Sequence, residues 1–214
     1  MLDFELKLPK GYLSYSAMNE YLYDPQAYYR HYFLGEDFME NLRKDNPDRW
    51  EKIRMGSIFQ EAWADPRVNW RRMLKDDGFT SNKTRIIETA LRQPNLVRLA
   101  PSKCEQTIRT EFQGIPILIK MDGWDAKEGL LVENKFGNTR SQEMVDQDNQ
   151  ISFYNLGLKL ALGSKPKRNL LQSINDRTGK VVPIETKRTQ DDLDHIGDLI
   201  MTAARGISQG IWEK

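Results

Sequence analysis

The 214-residue chain contains one cysteine, Cys104, and two histidines. A single thiol cannot close an internal disulfide or build an all-cysteine zinc or iron–sulfur site. A cysteine nucleophile would also need a histidine partner, and neither histidine lies near Cys104 in the sequence. These scarcities exclude a disulfide framework and predict a buried or incidental thiol.

The chain also lacks a long hydrophobic run and an excess of either charge. No apolar stretch is long enough to cross a bilayer, and the first residues lack the basic start and apolar segment of a secretory signal. The 32 basic and 31 acidic side chains nearly cancel, although local patches can still bind nucleic acid. We therefore expect a soluble cytoplasmic protein with no membrane partner, for which DNA binding is not excluded.

Two hydrophobic segments carry charges that a core strand should not contain. Residues 115–122 (IPILIKMD) and 130–136 (LLVENKF) are rich in Ile, Leu and Val. This composition predicts two strands, joined by a turn through Gly123 and residues 127–129. The first strand ends at Asp122, so a carboxylate stands where the chain is expected to turn.

Glu133 and Lys135 are two residues apart on the second strand, so their side chains project from the same face. An adjacent first strand can bring Asp122 beside them. A divalent cation held by oxygen ligands would relieve the carboxylate repulsion, and the lysine could orient an attacking water or stabilise charge on a phosphate. The alternative interpretation makes Asp122 a turn residue and places the other two on the solvated face of an edge strand.

The following segment, residues 141–162, has apolar positions at helical spacing and is predicted to form one long helix. Gln150 and Tyr154 are four residues apart and share one face of it. An aspartate after a hydrophobic strand, a strand ending in E-x-K and Q-x-x-x-Y on the next helix together resemble the PD-(D/E)xK nuclease superfamily. The resemblance is to its RecB-type branch, which includes exonucleases of CRISPR adaptation.

This resemblance implies a restriction-endonuclease-like α/β fold, with a mixed central sheet flanked by helices and an N-terminal helical addition. It implies that Asp122 and Glu133 hold Mg²⁺ or Mn²⁺, with the backbone carbonyl of Asn134 as a further ligand. Lys135 would assist hydrolysis by positioning the water.

Three further residues are candidate DNA contacts. The resemblance implies that Gln150 and Tyr154 contact DNA or complete the site. Arg140 lies just before the long helix, where it could meet a phosphate or equally occupy a surface position.

The glycine motif departs from the family pattern. RecB-type nucleases carry G-x-x-x-H here, with the histidine as a metal ligand, and this chain has Gly56 followed by Gln60. A glutamine carbonyl is an acceptable oxygen ligand for Mg²⁺ or Mn²⁺, although it is weaker than imidazole toward transition metals. Gln60 is therefore a candidate ligand that could also act through a water or simply pack.

The N-terminal part is predicted to be helical. Ser14 or Ser16 would cap a first helix, and Asp24 with Pro25 would start a second. Relatives with an iron–sulfur cluster place a cysteine before this proline, so Asp24 predicts that no such cluster is bound. The tyrosines crowded here could pack together or stack on bases. Seven cations farther along could face solvent or phosphates: Arg67, Arg71, Arg72, Lys75, Lys83, Arg85 and Arg92.

We expect one domain over residues 1–214, with a mainly helical part (1–100), a sheet core (101–188) and a C-terminal helix (189–214). The expected activity is metal-dependent hydrolysis of DNA, most simply as an exonuclease on ends or single strands. DNA repair, recombination and phage DNA processing are all compatible contexts, and protein partners are expected there. The alternative is a catalytically degenerate nuclease fold that binds DNA or a partner protein.

Overall fold

The computed structural model describes residues 2–213 and is built on a mixed six-stranded sheet. The strand order is β1-β3-β4-β5-β6, with β2 paired to the second edge of β3. The pairs β1–β3 and β4–β5 are parallel and the others are antiparallel. The strands are β1 (Leu13–Ser14), β2 (Cys104–Phe112), β3 (Ile115–Asp125), β4 (Leu130–Gly137), β5 (Arg168–Asn175) and β6 (Val181–Thr186).

Helices cover both faces of the sheet, so the predicted α/β class with a mixed sheet flanked by helices is confirmed. They are α1 (Tyr15–Tyr23), α2 (Pro25–Tyr32), α3 (Phe38–Asp45), α4 (Pro47–Ala64), α5 (Trp70–Asp76), α6 (Ser81–Leu91), α7 (Gln142–Asp146), α8 (Asn149–Leu162) and α9 (Gln190–Ser208). Asp24 caps α2 as predicted, and Ser14, one of the two predicted candidates, caps α1, because each side chain accepts a first-turn backbone N–H. No helix within residues 2–213 combines the length and apolar character needed to cross a membrane.

Two hydrophobic cores lie on opposite faces of the sheet. On one face α1, α8 and α9 pack against β3, and on the other α4 and α6 pack against β4, β5 and β6. Close approach is required on both faces. A Cβ at Gly157 of α8 would lie 2.7 Å from Ile119, and one at Gly56 of α4 would lie 3.3 Å from Phe136. The tyrosines of α1 and α2 pack with each other and with Trp212, which favours the packing interpretation.

Two local predictions were wrong. The helix over residues 141–162 is interrupted, because Asp148 accepts the backbone N–H groups of Gln150 and Ile151 and so starts a second helix. Gly123 is not in a turn. It lies inside β3, where a Cβ would sit 2.6 Å from Leu99. The helix α3 (Phe38–Asp45) begins at Asp37, whose side chain accepts the backbone N–H of Glu40.

The edge of β3 that faces β4 is shared between two partners. β1 pairs with Ile117 and Leu118, whereas β4 pairs with residues 123–125. β2 pairs along the other edge of β3. On the shared edge, residues 119–122 lie between the segments that pair with β1 and with β4. The sheet therefore opens beside Asp122.

Candidate active site

A cleft of about 1010 Å³ lies between the N-terminal helices and the opening in the sheet. Tyr15, Gln60, Asp122, Gln150 and Tyr154 all line it. A smaller cavity of about 290 Å³ lies behind it, between α4 and β4. Glu133 and Asn134 line this cavity. Gln60 and Asp122 each line both the cleft and the cavity. The sequence-predicted residues thus converge on one place.

Asp122 and Glu133 are brought together by the pairing of β3 with β4. Gly123 is opposite Val132, and extending that register by one residue puts Asp122 opposite Glu133. Instead of continuing the ladder, the Asp122 carboxylate accepts the backbone N–H of Asn134 at 2.8 Å. Glu133 is only 3% exposed and lies on an interior strand, so the edge-strand and turn alternatives are both wrong.

Both carboxylates resist ionisation in the protein as it stands. Burial raises the pKa of Asp122 well above its ordinary value, and the charge of Glu133 raises it further, against the opposing effects of Asn134 and Lys135. Burial also raises the pKa of Glu133, although Lys135 lowers it in part. A cation placed between the two groups would relieve this cost, because an opposite charge favours the ionised form.

Lys135 anchors a hydrogen-bonded chain toward α8, which we name the lysine relay (Glu133, Lys135, Gln150 and Tyr154). The Lys135 ammonium donates to Glu133 Oε1 at 2.8 Å and to Gln150 Oε1. Gln150 Nε2 donates to the Tyr154 hydroxyl at 2.6 Å, and that hydroxyl donates to the backbone carbonyl of Lys120 at 2.6 Å. The relay therefore ends at a fixed main-chain acceptor.

The lysine remains charged despite its burial. Burial lowers the pKa of Lys135, but the charge of Glu133, its hydrogen bond and the charges of Asp148 and Asp122 outweigh that effect and raise the pKa above its ordinary value. An ammonium has three N–H donors, and two are used in the relay. One donor is left for a substrate oxygen or a water.

A second chain, which we name the amide relay (Gln60, Asn134 and Gln172), runs from β4 in the opposite direction toward α4. Asn134 Nδ2 donates to Gln60 Oε1 at 2.8 Å, and Gln172 Nε2 donates to Asn134 Oδ1 at 2.9 Å. Gln172 is completely buried and holds both the N–H and the carbonyl of Val97. Sequence reasoning missed this relay, because its contacts join residues far apart in the chain.

The available oxygens fit a divalent cation. Glu133 Oε2 is buried and has no hydrogen-bond partner among residues 2–213, and the Asp122 carboxylate lines the same cavity. Within those residues no three His, Cys, Asp or Glu side chains form a metal-binding group. Mg²⁺ is commonly held by one or two carboxylates and several waters, so two carboxylates with a backbone carbonyl are an adequate set.

Arg140 and Asp148 form a pair beside the site. Arg140 Nη1 donates to Asp148 Oδ2 at 3.1 Å, while its backbone N–H donates to Ser173. Asp148 also starts α8 and thereby sets the position of Gln150. The buried Arg188 donates to the backbone carbonyls of Val145 and Asp148 and so stabilises the junction between α7 and α8. An aspartate two residues before Gln150 is a helix-start signal that could have identified this junction from sequence.

The cations of α5 and α6 and the residues next to them are mostly engaged with neighbouring carboxylates. This favours the solvated-surface interpretation over a phosphate-binding one. The ion pairs are Arg67–Asp65, Arg71–Glu88, Arg72–Asp76, Lys83–Glu51 and Arg92–Glu88. Cys104 is buried, which raises the pKa of its thiol and agrees with an unreactive role.

Comparison with known proteins adds little to this geometry. No protein-family model matches the chain, and no curated protein matches it. Among solved structures, a similar chain described as "Crystal structure of SSO0001" has 12% sequence identity and a TM-score of 0.46, covering 91% of this chain and 75% of that chain. A similarity at this level carries no conclusion about activity.

Proposed function

We propose that this protein is a metal-dependent nuclease that hydrolyses phosphodiester bonds of DNA. The observation that carries the proposal is the Asp122–Glu133 pair at the opening of the sheet, with the Lys135 ammonium bonded to one carboxylate. A buried carboxylate and a half-buried one, both with raised pKa values and one with an unpartnered oxygen, are costly unless a cation neutralises them. A divalent cation that also binds phosphate meets that requirement.

Each residue has a separate task in the proposed reaction. Asp122 and Glu133 hold Mg²⁺ or Mn²⁺ together with the carbonyl of Asn134. When bound, the cation polarises the phosphate and lowers the pKa of an attacking water. Lys135 stays protonated, so it acts as a hydrogen-bond donor to the water or to the developing phosphate charge, and not as a base. Gln150 holds the ammonium in place through the lysine relay.

The cleft is lined by more acidic than basic residues, so DNA binding there should need a bound cation and should involve few phosphates. The wall of the cleft has six acidic and three basic residues, so without a divalent ion it repels a polyanion: Glu20, Asp24, Glu36, Glu61, Glu105 and Asp122 against Lys10, Arg49 and Lys120. A single strand or a DNA end presents less charge than an intact duplex. This supports exonuclease action on ends or single strands within the proposal. Cytoplasmic DNA repair, recombination or phage DNA processing are its proposed contexts.

A second candidate function is a degenerate nuclease fold that binds DNA or a protein without cleaving. Gln60 favours it, because its oxygen is used by Asn134 and the position supplies no imidazole ligand. The two candidates differ in their dependence on the carboxylates. A binding module would keep its affinity for DNA when the carboxylates are neutralised.

End-labelled single- and double-stranded DNA distinguishes these functions. The wild type and Glu133→Gln would be incubated with each substrate in Mg²⁺, Mn²⁺ or EDTA, with separate labels at the 5′ and 3′ ends. The nuclease proposal predicts loss of label only for the wild type with a metal ion, and the label position gives the direction of cleavage. Intact DNA in every reaction, together with a gel shift by both proteins, would replace it with the binding module.

A further inference from the structure

We propose that Gln60 is a substrate-binding residue, which donates a hydrogen bond from Nε2 to a phosphate oxygen of the DNA instead of ligating the metal. This inference rests on the proposed function and assigns the task of a residue that the sequence leaves open. It follows from the direction of the amide relay, which is set at the backbone of Val97. Gln60 lines both the cleft and the cavity that contains Glu133.

The backbone of Val97 fixes the first amide. The Val97 N–H donates to Gln172 Oε1 at 2.6 Å, and the Val97 carbonyl accepts from Gln172 Nε2 at 3.0 Å. Reversing this amide would place N–H against N–H and oxygen against oxygen. Because both backbone groups have only one possible role, the orientation of Gln172 is determined.

That orientation is passed along the relay. Gln172 Nε2 has a second proton, which it donates to Asn134 Oδ1, so Asn134 must turn its Nδ2 toward Gln60. Asn134 Nδ2 donates to Gln60 Oε1, which uses that oxygen. The remaining end of Gln60 is therefore a donor. Its Nε2 is buried and has no hydrogen-bond partner among residues 2–213.

A buried amide donor without a partner is costly, and an acceptor supplied by the substrate removes that cost. A cation cannot fill this role, because Nε2 bears protons and has no lone pair to offer. A non-bridging phosphate oxygen is a charged acceptor that would lie near the two carboxylates once the cation neutralises them. Gln60 then adds affinity for the substrate without adding affinity for the metal.

Two single variants and their combination test this assignment. Gln60→Met removes the donor and keeps an unbranched side chain of similar length. Asn134→Asp puts an acceptor where Nδ2 was, which should reverse the Gln60 amide and turn its oxygen toward the site. Mn²⁺ affinity would be measured by calorimetry, and affinity for a labelled single-stranded oligonucleotide by anisotropy with Ca²⁺ in place of Mn²⁺. Thermal unfolding monitors the fold of each variant, with Gln60→Ala as the substitute if Gln60→Met does not fold.

We expect Gln60→Met to leave the Mn²⁺ dissociation constant within about twofold and to weaken oligonucleotide binding by about tenfold or more, as loss of a bond to a charged acceptor should. Asn134→Asp should strengthen Mn²⁺ binding through both the added charge and the reversed Gln60 oxygen, and adding Gln60→Met should remove the part that the oxygen supplies. Three results would overturn the inference: a tenfold loss of Mn²⁺ affinity in Gln60→Met, unchanged oligonucleotide affinity, or an undiminished gain in the double variant. A wild type that binds no Mn²⁺ would instead overturn the proposed function and the inference with it.

Discussion

The lysine relay and the amide relay leave the same strand in opposite directions and end in different ways. Neighbouring residues of β4 face opposite sides of the sheet, so Lys135 reaches α8 while Asn134 reaches α4. One relay brings a charged ammonium to the site and is anchored at the carbonyl of Lys120. The other brings a neutral N–H donor and is anchored at Val97.

This difference separates two tasks. A charged group among buried carboxylates controls which protonation states are present, so the lysine relay should govern the chemical step. A chain of amides carries no net charge and fixes only the direction of a donor, so the amide relay should govern how substrate is held. Breaking each relay should therefore affect different measured quantities.

The largest effect is expected where the lysine relay meets the site. Lys135→Met removes the ammonium beside Glu133, and loss of such a donor lowers kcat by roughly 10²–10³-fold or more. Mn²⁺ binding should persist, because both carboxylates remain. Single-turnover cleavage measures the first quantity and calorimetry the second. Lys159→Met, on the same helix as Gln150 but bonded to exposed Gln190, is the control and should cleave normally. Cleavage by Lys135→Met at the wild-type rate would contradict this role.

The next largest effect is on stability, at the anchor of the amide relay. Gln172→Met leaves the Val97 N–H and carbonyl without their side-chain partner, and each unsatisfied buried group costs about 1–3 kcal/mol. Urea unfolding should show the loss, and oligonucleotide affinity should fall because Gln60 is no longer held in direction. Gln142→Met is the matched control. Its hydrogen bonds are exposed, so its cost should stay within about 0.5 kcal/mol.

The sequence made one relay visible and concealed the other. Glu133 and Lys135 lie on one strand and Gln150 and Tyr154 lie on one helix a short way along the chain, and the spacing within each element places the two residues on a shared face. The amide relay joins residues 60, 134 and 172 to the backbone of Val97, and no local pattern encodes contacts over such separations.

The fold shows the same division between local and distant causes. The caps follow from local hydrogen bonding, so Asp24 was predicted correctly and Ser14 was one of two predicted candidates. Gly123 was misassigned to a turn because its reason is contact with Leu99, which only the assembled structure shows. The pairing of β1 with β3 likewise depends on residues about a hundred positions apart.

The carboxylates of the site should give a pH dependence of recognisable sign. The pKa of Asp122 is raised in the folded protein, so the folded state binds protons more tightly than the unfolded state. Stability therefore falls as pH rises from the unfolded pKa of about 4 toward the raised pKa. In EDTA, Asp122→Asn should therefore match the wild type at low pH and exceed its stability at neutral pH. Mn²⁺ should reduce the difference.

Asp125 should show the opposite dependence of stability on pH, because its pKa is lowered in the folded protein. The hydrogen bond from Lys103 lowers the pKa of Asp125, so its contribution is present at neutral pH and is lost as pH falls through the lowered value. Asp125→Asn should accordingly be less stable than the wild type at neutral pH and approach it in acid. Urea unfolding from about pH 2 to pH 8 compares both variants, since the contribution of Asp125 is lost only below its ordinary pKa of about 4. Trends of the same sign would contradict the assignment.

The smallest effect is expected at the far end of the lysine relay. Tyr154→Phe removes the hydroxyl that joins Gln150 to the Lys120 carbonyl, which should cost about 1–2 kcal/mol of stability and reduce cleavage a few-fold. Tyr21→Phe is the control, because its hydroxyl donates to the Ile211 carbonyl away from the site. That variant should lose comparable stability and retain full cleavage. Equal cleavage by the two variants would show that Tyr154 serves packing alone.

Anomalous diffraction from crystals grown with Mn²⁺ shows whether Asp122 and Glu133 form a cation site. We expect a manganese peak within coordination distance of both carboxylates and of the Asn134 carbonyl, with Gln60 outside the coordination shell. We also expect that the peak disappears in crystals of Glu133→Gln. Ordered Asp122 and Glu133 side chains with no peak between them, under conditions where Mn²⁺ binds elsewhere on the protein, would contradict the account.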